Sequence, residues 1–94
     1  MRRMADVTVK RRADGDPMWF DVVVREGDAT TEHAVSVSEA DLDRLGAGRP
    51  PEAFVRDSFA FLLEREPKES ILRSFDLSAI GRYFPEFEDE IAER

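Results

Sequence analysis

Two periodicities divide the chain. Between Asp6 and Val37 apolar residues alternate with polar ones, and β-branched and aromatic side chains dominate, which is the signature of half-buried strands. Val7 and Val9 share one face of a first strand, Met18, Phe20, Val22 and Val24 one face of a second, and His33, Val35 and Val37 one face of a third. The turn-rich stretches Ala13-Asp14-Gly15-Asp16-Pro17 and Glu26-Gly27-Asp28-Ala29 are short enough for hairpin loops, so strands adjacent in sequence run antiparallel. A register pairing Val9 with Val22 and Val7 with Val24 also sets Lys10 opposite Asp21 and Asp6 opposite Arg25. Opposite charges across strands contribute about 0.2–1 kcal/mol each, enough to favour it over the slipped register that sets Lys10 against Trp19.

From Ser38 onward the period becomes helical. Ser38-Glu39-Ala40-Asp41 is a capping-box variant that opens a short helix carrying Leu42 and Leu45 and ending at Gly46. Pro51 suits the first turn of a longer helix running to about Arg65. Along it Phe54, Val55, Ser58, Phe59, Phe61, Leu62 and Leu63 spread over roughly 200°, twice the stripe of an ordinary surface helix, so one sheet cannot cover them. Phe59 and Leu62 lie mid-arc and are expected to meet the sheet. Pro67 ends that helix. Ile71, Leu72 and Phe75 follow helical spacing on a third helix, Asp76 caps a fourth from Leu77 to about Phe84, and Pro85 separates a last amphipathic turn or two through Phe87 and Ile91. The expected fold class is α+β: a three-stranded antiparallel meander followed by a short helix, a long helix and two to three short C-terminal helices. Residues 1–94 form one domain, with residues 1–5 frayed.

Composition narrows the function. Ninety-four residues allow one modest core, and the absence of cysteine removes disulfides, thiolate metal sites and thiol nucleophiles. No apolar run approaches a membrane span and no signal-peptide segment follows Met1, so a cytoplasmic protein is expected, without membrane contact. Only two of the 14 basic residues are Lys, a usage that suits a GC-rich bacterial genome. Charge is uneven: residues 1–12 hold Arg2, Arg3, Lys10, Arg11 and Arg12 against Asp6, whereas the remainder holds nine basic residues against twenty acidic ones. Most of the fold would therefore repel a phosphate backbone.

No catalytic set emerges. His33, the only histidine, lies on an apolar strand face with no nucleophile motif, and Glu32 points the other way. Asp14 and Asp16 lack the later ligands of a calcium loop, the carboxylates at Glu86, Glu88, Asp89 and Glu90 read as a solvated helix face, and Gly46-Ala47-Gly48 lacks a phosphate-loop lysine. Catalytic, cofactor-binding and metal-binding residues are accordingly none. The stretch from Ile71 to Phe84 faintly resembles a helix-turn-helix, but Asp76 stands where the turn wants glycine and the second helix is short.

The sequence from Phe61 to Leu72 (FLLEREPKESIL), followed by Phe75-Asp76-Leu77 and Tyr83-Phe84-Pro85-Glu86-Phe87, resembles a C-terminal signature of small bacterial proteins of unassigned activity. The resemblance covers about the last third of the chain and implies a bacterial source. The function read from the residues is a non-catalytic protein-interaction or regulatory module, its partner another protein or a second copy of the chain. Its candidate contact residues are Trp19, Lys10, Arg12 and Val23, which alternation places together on the wet face of the meander; binding hot spots are enriched in Trp and Arg. The alternative is a nucleic-acid-binding regulator using the basic N-terminal arm and first strand.

Overall fold

The computed structural model describes residues 5–94; Arg2 and Arg3 of the basic arm lie outside them. Strands β1 (Asp6–Ala13), β2 (Met18–Glu26) and β3 (Ala29–Val37) form the expected antiparallel meander. The register is the charge-matched one: Val7 faces Val24, Val9 faces Val22, Lys10 faces Asp21 and Asp6 faces Arg25. The β2–β3 loop is two residues, with Gly27 at φ +61°, the position that a II′ hairpin turn reserves for glycine. Past Arg11 the pairing slips by one residue, so that Ala13 faces Trp19 and Arg12 is left as the bulged residue.

A fourth strand, β4 (Ser74–Asp76), corrects the expected three-stranded sheet: it lies beside β3 and parallel to it, giving the order β1-β2-β3-β4. The helix expected through Ile71, Leu72 and Phe75 is absent. A single 3-10 turn at Lys68–Ser70 gives way to extended backbone at Ile71 (φ −74°, ψ 133°) and then to β4. The outer edge of β3 explains this. Ser36 is buried, so its backbone cannot turn to water, and β4 satisfies that edge: the Ala34 N–H donates to the Arg73 carbonyl (2.7 Å) and the Leu77 N–H to the Ser36 carbonyl (2.8 Å).

Helix α1 (Glu39–Leu45) starts as the capping box implies, Ser38 Oγ accepting from the Asp41 N–H at 3.1 Å. Asp16 in the first hairpin loop accepts from the Glu39 N–H (3.1 Å), tying that loop to the helix start. Helix α2 (Pro51–Leu63) carries the wide apolar arc and is sandwiched. On one flank Phe59 meets His33 of β3 (5.4 Å between ring centroids) and Phe75 of β4 (6.0 Å). On the other flank Phe61 meets Phe84 (5.9 Å) and Phe87 (5.0 Å). Helix α3 (Ala79–Tyr83) is shorter than the expected Leu77–Phe84 because Asp76, instead of capping at the first turn, accepts from both the N–H and the hydroxyl of Ser78 and forms a turn ahead of it. Helix α4 (Phe87–Ala92) buries Phe87 and Ile91. One core joins the Phe20, Val22, Val24 and Val35 face of the sheet to all four helices, with Ala5 packed against it. Among the described residues no helix is long and apolar enough to cross a membrane.

Candidate functional site

Every described helix packs on the Phe20 and Val22 face of the sheet, and no described helix covers the opposite face, which is open except at its β4 end, where Ser36 is buried. The register brings Thr8, Lys10, Trp19, Asp21, Val23, Arg25, Glu32 and Ala34 onto that opposite face, so the four sequence-designated residues Trp19, Lys10, Arg12 and Val23 do share a surface. Trp19 and Val23 are half-buried there, and Lys10 and Arg12 exposed. The charges pair differently from the expectation. Asp21 is gripped in bidentate fashion by Arg12, from the bulge, through Nε (3.1 Å) and Nη2, instead of by Lys10 directly opposite. Among the described residues the cations stacked on rings are Arg11 over Phe20, Arg49 over Phe54, and Arg65 and Arg94 over Phe61, so neither Lys10 nor Arg12 stacks on Trp19. Alternation from Val7 and Val9 puts Arg11, opposite Phe20, on the packed face, where it reaches Asp14 (3.1 Å) and Glu52 of α2 (2.9 Å). Two cations of the basic segment are thus held by carboxylates of the chain itself.

His33 is spent structurally. It is 4 % exposed, and Nδ1 lies 2.8 Å from the Leu72 carbonyl, which can only accept. Nδ1 therefore carries a hydrogen, and Nε2 lies 2.9 Å from the Thr31 hydroxyl, which can serve as either partner. A polar hollow of about 340 Å³ lies beside it, between Thr30, Glu32, Lys68 and Arg73. Lys68 is buried between Glu26 (3.3 Å) and Glu69 (2.8 Å), whose carboxylates hold its ammonium above the ordinary lysine range, Glu69 contributing most. The tail carboxylates, expected to face solvent alone, are partly clasped: Glu86 (3.0 Å) and Glu90 (2.7 Å) by Arg65, and Glu88 by Arg44 (2.8 Å).

A site that the sequence reading missed lies at the β4 edge. Leu62 from the end of α2, Ile71 and Leu72 ahead of β4, Phe75 on it, and Ile80 and Tyr83 of α3 enclose an open apolar cleft of about 320 Å³, at the small end of the ~300–1,000 Å³ typical of ligand pockets. Two of its walls stand in water: Leu72 is 50 % and Tyr83 69 % exposed, and they are the large hydrophobic residues of the described chain left so. Behind the cleft Asp76 is fixed. Burial pushes its carboxyl up, and the hydrogen bonds from Ser78 and Ser36 more than offset this, holding it below the ordinary carboxylate range. No known protein family, curated protein or solved structure matches this chain.

Proposed function

We propose that this chain is a small, non-catalytic protein-interaction module of bacterial origin, and that it holds a short apolar segment of another protein in the cleft beneath Leu72 and Tyr83. The observation that supports this reading is the exposure of those two side chains at the lip of an apolar depression. A fold gains nothing by wetting a Leu and a Tyr that line one cleft unless something covers them, and large exposed apolar patches mark contact surfaces. Phe75, Ile71 and Leu62 provide the floor, while Glu66 at one end can accept from a partner's backbone N–H. The engagement of both His33 nitrogens weighs against a catalytic base at the one histidine. The pairing of Arg11 with Glu52 and of Arg12 with Asp21 weighs against a phosphate-binding strand.

The test is capture from a lysate of the source organism with wild-type chain and with a Leu72→Ser, Tyr83→Ser double variant, followed by direct titration of any captured protein. Both positions are exposed, so the variant keeps its fold. Removal of two hot-spot side chains is expected to weaken binding by about tenfold or more. A captured protein that binds the variant as tightly as the wild type would overturn the reading.

A further inference from the structure

Among the described residues no strand pairs with the outer edge of β1. Its backbone polarity follows from the other end of the sheet. Ala34 and Ser36 of β3 give their hydrogen bonds to the β4 side, so Val35 and His33 bond to β2. Phe20, Val22 and Val24 of β2 therefore bond to β3, and Trp19, Asp21, Val23 and Arg25 to β1. It follows that Asp6, Thr8 and Lys10 spend their backbone groups on β2, and that the N–H and C=O of Val7, Val9 and Arg11 point outward from the sheet. The same strand has an unfinished apolar surface. Val7 and Val9 point to the core side, yet they are only half-buried, whereas Val24 and Val22 directly opposite are 0 % exposed.

We infer that the occupant of this edge is a second copy of β1, paired antiparallel about a two-fold axis through Thr8. This places Val7 opposite the partner's Val9, and both have outward backbone groups, so each such pair exchanges two hydrogen bonds. On the packed side one row then reads Val22, Val9, the partner's Val7 and the partner's Val24, a continuous apolar row across four strands. On the bare side the neighbouring row reads Asp21, Lys10, the partner's Asp6 and the partner's Arg25, with charge alternating at every step. Thr8 meets the partner's Thr8 at the centre, a favourable cross-strand pair. Slipping the axis one step toward Val9 sets Val7 against the partner's Arg11 and Thr8 against the partner's Lys10. Slipping it one step toward Val7 sets Asp6 against the partner's Thr8. Each slip loses the Asp6 to Lys10 match. The two-fold contact uses up the β1 edge of both copies, so it closes as a pair and does not propagate into a fibre. The contact is independent of the proposed cleft, which lies at the opposite edge of the sheet, and an edge contact of this length forms a concentration-dependent dimer.

The absence of cysteine from the chain makes a sharp test available. Thr8 sits on the axis at a non-hydrogen-bonded pair, where Cα atoms approach to about 4.5 Å, inside the range a disulfide spans. A Thr8→Cys variant is expected to link into a covalent dimer under mild oxidation. A Glu32→Cys variant, exposed on the same face and separated from its symmetry mate by five strand spacings (about 24 Å), is not. In sedimentation velocity the wild-type mass is expected to rise with concentration toward twice the 10.7 kDa of one chain. Lys10→Glu and Asp6→Lys are each expected to lose the dimer, and an equimolar mixture to restore it, because the mixed pair again sets opposite charges at both ends. A wild-type chain monomeric at all concentrations would overturn the inference. So would Thr8→Cys linking no faster than Glu32→Cys, or a mixture that stays monomeric. If a charge variant fails to show native circular dichroism, the Thr8→Cys comparison decides alone. Cleft variants leave all of these readouts unmoved, so failure of one proposal is distinguishable from failure of the other.

Discussion

The meander and the C-terminal third are held by different physics. In β1, β2 and β3 stability is distributed: each strand adds alternate side chains to one apolar face, and Phe20, Val22, Val24, Val35 and Val37 are all fully buried. The C-terminal third has two helices of five and six residues, far below the ~12–15 residues at which an isolated helix is even marginal. It is fastened at a few points. Arg65 lies 3.6 Å over the Phe61 ring while bonding Glu86 and Glu90, and Arg49 reaches the carbonyls of Leu45, Gly46 and Ile91. Helix α2 carries both halves. Loss of one residue therefore has a graded effect in the meander and an abrupt one behind α2.

The largest expected effect is at the shared anchor. Phe59→Ala removes the ring that touches β3 and β4 together, and is expected to cost about 3–5 kcal/mol, most of the stability of a domain this small. Both halves should melt in one transition, measured by thermal circular dichroism alongside Trp19 fluorescence. Leu62→Ala, under the cleft, should cost about 2–5 kcal/mol. Arg49→Ala leaves three carbonyls without their charged donor and should cost about 1.5–3 kcal/mol, with amide exchange accelerating in α4 while β2 amides stay protected. Equal acceleration in both regions would erase the contrast.

Acid should separate the halves as well. The bond from Arg94 holds the Glu64 carboxyl below the ordinary carboxylate range; for Glu86 the cause is its own backbone N–H, then Arg65. Their folded values lie below the unfolded ones, so their contribution is complete above the unfolded carboxylate value near 4.3 and is lost as pH falls through the folded values. Lys68, raised by Glu69 and Glu26, acts oppositely: its contribution is complete below the unfolded lysine value near 10.4 and is lost as pH rises through the folded one. Helical signal at 222 nm is expected to fall before Trp19 emission shifts on acidification. The smallest effect is on the bare face, where Asp21→Ala removes an exposed ion pair with Arg12 and should cost about 0–1 kcal/mol by chemical denaturation.

The same contrast governs what could be read in advance. The hairpin register was legible because valine alternation and two charge matches point to one answer within a local segment. Which cation holds Asp21 was not, since the bulge at Arg12 arises from how β1 ends. The fourth strand left almost no trace: three residues pairing in parallel with a strand far upstream carry no local period, and Ile71, Leu72 and Phe75 fit a helix by spacing alone. The cleft was illegible for a related reason, its walls coming from α2, the approach to β4 and α3. Trp19 and Val23 could be placed on a bare face by alternation, because no helix crosses to it.

The parallel seating of β4 on β3 also sets the order of assembly. The meander closes through two short loops, but β4 can join only after the whole of residues 38–73 has crossed the sheet, and non-local pairings of this kind are late events. A chain still emerging from the ribosome therefore displays a finished ribbon whose Phe20, Val22 and Val35 face water until α2 arrives. During that interval the ribbon displays a hydrophobic strip that the completed fold hides.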